Sequence, residues 1–172
     1  ESSSPVIANC VITGNTATDT YSGGGVHVAS GSPKLVGCTV SLNTGSYAGG
    51  GVCVMSGTTT LETCSVVGNS LTYPSCCGGF GGGIYAQGGA VTITGGEVRG
   101  NSAGQGGGGI FGGTLSISGC AVADNTVQNG GGGGIDGASV TIVGGSVSGN
   151  VCSGPGGGLN GVSGQVSGCA IS

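Results

Sequence analysis

The chain has 172 residues, 46 of them glycine, with 3% aromatic and 5% charged side chains, where roughly a quarter charged is usual for a soluble domain. The glycine has no three-residue period, which excludes collagen, and the 36% hydrophobic residues recur at regular places, which argues against disorder. Lys34 and Arg99 are the only basic residues against a net charge of -4, so no basic surface for nucleic acid can be assembled, and no apolar run approaches the ~20 residues that span a bilayer.

The first unit, "ESSSPVIANCVITGN", places Ile7, Cys10, Ile12 and Asn15 in a frame that then returns along the chain. It begins with Glu1 rather than Met and has no signal-like segment, so it reads as a processed or excised piece. "SGGGVHV" follows. The second unit carries Leu35, Cys38, Val40 and Asn43 before "AGGGVCV", and the third carries Leu61, Cys64, Val66 and Asn69. After the stretch "SLTYPSCCGGF", residues 70–80, comes "GGGIYA". The fourth unit has Ile93, Gly96, Val98 and Asn101 before "GGGIFG"; the fifth has Ile117, Cys120, Val122 and Asn125 before "GGGIDG". Ile142, Gly145, Val147 and Asn150 precede "GGGLNG", and the frame closes on Val166, Cys169 and Ile171.

Subtraction puts successive Asn residues 28, 26, 32, 24 and 25 apart, the length of one coil of a solenoid. From the last glycine of each triplet to the next Asn the separations are 18, 18, 18, 16 and 16, a change that preserves inside/outside parity. Insertions collect in the other segment, which marks 70–80 as a surface loop. Apolar residues alternate with period two, as in "GCTVSLN", and no window has helical periodicity. Short strands joined by Gly and Asn turns predict an all-β chain: a single-stranded parallel β-helix of about six coils plus a partial one, a single domain over 1–172. Parallel crossovers make it right-handed.

In that frame each glycine triplet is a corner needing positive φ or a tight bend. Asn15, Asn43, Asn69, Asn101, Asn125 and Asn150 mark a second corner, suited to the left-handed region, and their amides can stack as a ladder. Cys10, Cys38, Cys64, Cys120 and Cys169 share one inward column. Nine cysteines suggest an oxidising, extracellular or cell-surface setting. Stacked neighbours leave both a Cys10–Cys38 or Cys38–Cys64 disulfide and free thiols open, and Cys53 is expected to point outward and pair with Cys76 or Cys77.

The aliphatic-x-x-Asn element followed by Gly-Gly-Gly-Ile resembles the repeat of polymorphic outer membrane proteins and related adhesin-like β-helices. Here the first position is Val or Ile where those repeats also use Phe. The resemblance covers almost the whole chain and implies a surface-exposed β-helix.

Chemistry is sparse. "GQGGGG" lacks the helix that a phosphate loop needs. "GGGGIDG" begins like a calcium-binding nonapeptide, but Asp136 has His27, Cys53, Tyr85, Phe111 and Asn160 at the equivalent positions. Glu97, Arg99 and Asp124 fall close together yet lack a second convergent carboxylate. No catalytic group, metal site or cofactor is expected. His27, Cys53, Tyr85, Phe111, Asp136 and Asn160 should stack outward, with Tyr85 and Phe111 as an aromatic pair for a partner or glycan unless the 70–80 insertion folds over them. Thr92, Thr94, Ser116 and Ser118 begin a hydroxyl ladder of the kind that binds ice, interrupted at Lys34, Glu62 and Val143. No Asn-x-Ser/Thr sequence occurs, so any sugar would be O-linked. The reading is a non-catalytic extracellular fibre or filament subunit, stacking head to tail on other copies of itself, with a glycan-binding adhesin or stalk segment, or a carbohydrate-active β-helix, as the alternative.

Overall fold

Period-two alternation becomes strands in which every second side chain enters a shared core, as in Ile110–Ser118, where Ile110, Gly112, Leu115 and Ile117 are buried and Thr114, Ser116 and Ser118 are exposed. A computed structural model describes residues 4–19, 23–72 and 79–172. They form a parallel β-solenoid of about six turns, with no helix among the described residues.

Each coil has four faces. In the second coil these are Lys34–Val36, Thr39–Ser41, Thr44–Gly45 and, after the glycine triplet, Val52–Val54. From the third coil onward the last face of one coil runs straight into the first face of the next, giving Ile84–Thr94, Ile110–Ser118 and Ile135–Val143. These join a ten-stranded parallel sheet. The second face is a seven-stranded sheet, and the third forms short two- and three-stranded ladders.

Register brings the repeat positions into columns. Ile7, Leu35, Leu61, Ile93, Ile117, Ile142 and Val166 pair in succession. Ile12, Val40, Val66, Val98, Val122, Val147 and Ile171 do the same on the second face. Val26, Val52, Ile84, Ile110, Ile135 and Leu159 line the fourth. Except for the exposed Val166 and Ile171, their side chains converge on one core, and each fully buried Leu or Ile contributes about 1.5–3 kcal/mol relative to an exposed one.

The glycine triplet divides its labour. Gly49 adopts φ +60°, whereas a Cβ on Gly50 would lie 2.3 Å from the Gly82 carbonyl oxygen, and one on Gly51 would lie 2.8 Å from that of Gly83. One glycine bends the chain; the next two let coils approach.

The asparagine corner differs from expectation. The left-handed residue is the one before each Asn: Gly14, Leu42, Gly68, Gly100, Asp124 and Gly149. Asn is retained for its amide instead. Asn69 Nδ2 donates to Asn101 Oδ1 at 3.0 Å and to the Val40 carbonyl at 2.9 Å. Its Oδ1 accepts from Asn43 Nδ2 and from the Asn43 backbone N–H, both at 3.0 Å. The link repeats from Asn15 to Asn43, Asn101 to Asn125 and Asn125 to Asn150. A buried primary amide with every bond made costs little, and a broken one costs much.

Candidate functional site

Parity turns the residue after each fourth-face aliphatic away from the main core, and His27, Cys53, Tyr85, Phe111, Asp136 and Asn160 pair in register down the solenoid. Most of the column is nevertheless covered. Ala48, Phe80, Gly106 and Gly131, just before the glycine corners, form a ladder of bridges beside it. Ala48, Phe80 and Met55 pack with Cys53, Tyr85 and Phe111 as a second small core. The Phe80 ring lies 4.6 Å from that of Phe111, and Tyr85 stacks on Phe111 at 5.7 Å and 8°. Cys53 is therefore buried rather than outward, and Tyr85 is only 3% exposed. Phe111 alone of the aromatic pair reaches the surface. Phe80, the last residue of the 70–80 insertion, supplies much of the cover; Ser70–Leu71, its start, is a strand.

Beyond Phe111 the cover stops and a groove of about 290 Å³ opens, lined by Gln87, Phe111, Asp136, Ala138 and a floor of Gly112, Gly113, Gly137 and Gly161. Burial raises the Asp136 carboxyl above its usual range, and a hydrogen bond with the Asn160 side chain partly offsets this. Tyr85 Oη donates to Gln87 Oε1 at 2.5 Å, fixing that amide. One ring face, a carboxyl and an oriented amide above bare backbone suit a small neutral polyhydroxyl ligand. Motif reading missed Gln87 and the Asp136–Asn160 contact because the groove depends on where Phe80 ends.

The cysteine column is a column of thiols. Cys38 and Cys64 are buried, and each donates its S–H to a carbonyl of the preceding coil, Ile7 and Leu35 respectively, at 3.4 Å. Cys120 is buried, Cys169 half-buried and Cys10 exposed. Neither Cys10–Cys38 nor Cys38–Cys64 is a disulfide. In-register side chains run parallel about 4.8 Å apart, whereas a disulfide needs converging Cβ atoms ~3.8 Å apart. Burial pushes the Cys53 and Cys120 thiols up to about 12. Cys76 and Cys77 lie outside the described residues.

Two ion pairs lie on the surface. Lys34 pairs with Glu62 at 2.7 Å and Arg99 with Asp124 at 2.8 Å, all four side chains well exposed. Ser65 Oγ donates to Glu97 at 3.2 Å. Among the described residues no three His, Cys, Asp or Glu side chains converge as metal ligands.

No protein-family model, curated protein or solved structure matches the chain.

Proposed function

We propose that the chain is a non-catalytic structural β-solenoid of the cell surface or extracellular space, extended at its ends by further coils and, in a fibre, by a second copy head to tail. The Asn ladder carries this reading. It is polar along its length, with amide donors leading towards Asn150 and an acceptor oxygen at Asn15, so a further coil carrying Asn at either end would continue it. The apolar columns are uncovered at the same places: Val166 is 38% and Ile171 54% exposed, against 1–2% for Ile117 and Val147. The first and second faces are seven strands deep, and the third and fourth six. A second copy therefore meets the last coil first through Val6–Ala8 on Val166–Ser167 and Val11–Thr13 on Ala170–Ile171, leaving a strand-wide slot opposite. Such docking is heterologous and does not close, so it grows linearly, with a rise of about 34 Å for seven layers at ~4.8 Å. Concentration-dependent sedimentation and negative-stain microscopy should show rods lengthening in steps of that size. A monodisperse single copy at every concentration would refute self-stacking.

The groove beside Phe111 supports a second reading, contact with a neutral glycan, in which Asp136 and Gln87 bond to hydroxyls and Phe111 packs on the sugar ring. Glycan-array binding that Phe111→Ala removes, with the fold intact, is the expected result. Binding unchanged in that variant would exclude the groove.

A further inference from the structure

The outer surface of the ten-stranded sheet is a hydroxyl array that the linear sequence shows only in fragments. Thr60, Thr92, Ser116 and Thr141 are paired in register in four successive coils. Thr114 and Ser139 flank this column on one side, Thr94 and Ser118 on the other. Most of these side chains are exposed, and the rest are half-buried. Lys34 stands next to Thr60 at the first-coil end of the central column and Glu62 next to Thr94 in a flanking column, where they pair with each other; Val143 is an apolar substitution beside Ser118.

Three properties define what this surface can bind. It is rigid: Val91, Ile93, Leu115, Ile117, Val140 and Ile142 lie directly beneath it in the core, and threonine has a stiff χ1. Its spacings are fixed, ~4.8 Å between strands and roughly 6.7 Å between alternate residues along a strand. It is uncharged across residues 90–94, 114–118 and 139–143, Asp136 lying further back on the same strands beside Phe111. The outer surface of the seven-stranded sheet differs, carrying Glu97 and Arg99. A neutral, rigid, periodic set of groups that both donate and accept complements a solid built from water, which donates and accepts at every lattice point. A crystalline polysaccharide fits less well, because its C–H faces call for aromatic partners and the hydroxyl columns contain none, Phe111 lying beside them on the fourth face.

We propose that this sheet face binds the surface of ice. Each hydroxyl contributes weakly, and adsorption arises because many engage at once on a scaffold that loses no further freedom. A bulky charged side chain in the middle of the array should therefore lift the whole face from the lattice.

The test is thermal hysteresis and ice-recrystallisation inhibition by the purified chain, with three variants checked for an unchanged circular dichroism spectrum and melting temperature. The wild type and Ser116→Thr should act on ice, Ser116→Lys should lose the activity, and Ser148→Lys on the opposite sheet should keep it. An inactive wild type, equal activity in Ser116→Lys and Ser148→Lys, or adsorption to chitin or cellulose without any effect on ice would overturn the assignment.

Discussion

Gly51 and Asn69 occupy touching positions in adjacent coils: a Cβ on Gly51 would lie 3.0 Å from both Cγ and Nδ2 of Asn69 and 2.8 Å from the Gly83 carbonyl oxygen. The same contact recurs for Gly25 with Asn43, Gly83 with Asn101, Gly109 with Asn125 and Gly134 with Asn150. Because Gly51 has an ordinary negative-side φ, Gly51→Ala tests crowding alone. Backbone blocks the methyl on one side and a fully bonded amide on the other, so a loss of about 2–3 kcal/mol is expected, read by urea unfolding. Gly100→Ala, whose φ is +62° with nothing within 4 Å, should cost less, about 1 kcal/mol from backbone strain. Equal losses would mean that the triplet serves only to bend the chain.

The spacing of those residues was legible in the sequence, as the separation of 18 or 16 residues from glycine to asparagine, but their contact was not. The columns of Leu, Ile and Val were legible for the same reason, since parity survives every insertion. The fate of the Tyr85–Phe111 pair was not. Alternation says only that Tyr85 points away from the main core, and whether water or Phe80 meets it depends on where the 70–80 insertion returns to the sheet. The asparagine corner was misread because both a left-handed turn and an amide ladder favour Asn; the structure separates them by one residue.

Thr59 is a threonine in a column of aliphatic residues. It pairs with Val91, is fully buried, and its Oγ1 has no hydrogen-bond partner. Thr59→Val replaces the hydroxyl by a methyl of the same shape and removes an unsatisfied buried group, so stability should rise by about 1 kcal/mol. Chemical denaturation would measure it, and a loss would show that the hydroxyl is satisfied in solution.

Thr63 and Leu42 hold φ of +48° and +53°, where most equivalent corner positions are glycine. A β-branched residue pays most in this region. Thr63→Gly should therefore stabilise by about 0.5–1 kcal/mol, the relief of strain exceeding glycine's entropy in the unfolded chain. Thr63→Ala, which keeps a Cβ, should gain little. Thermal melts of the two variants side by side check the order.

The buried thiols give the stack an alkaline limit. Cys53 and Cys120 have folded values of about 12, above the ordinary 9.0, through burial. A group whose folded value is raised contributes fully below its unfolded value and loses that contribution as pH rises through the folded one. Stability should accordingly fall between about pH 9 and 12, and Cys120→Ala should flatten part of that slope. Native alkylation at pH 8 should label exposed Cys10 well before Cys120. Simultaneous labelling of both would contradict the burial of Cys120.

Position along the stack should set the cost of losing core volume. Ile117 is 2% exposed between paired coils, whereas Ile171 in the same type of aliphatic column is 54% exposed at the end. Ile117→Ala should cost about 2–5 kcal/mol from lost burial and the cavity left behind, and Ile171→Ala well under 1 kcal/mol in a dilute single copy. In a solenoid each coil leans only on its neighbours, so adding a coil beyond Ile171 should convert it into an interior residue. If copies stack, the penalty of Ile171→Ala therefore grows with protein concentration while that of Ile117→Ala stays constant. Melting both variants across a hundredfold range of concentration separates these cases, and a penalty at Ile171 that never changes would mean that its coil remains the end of the stack.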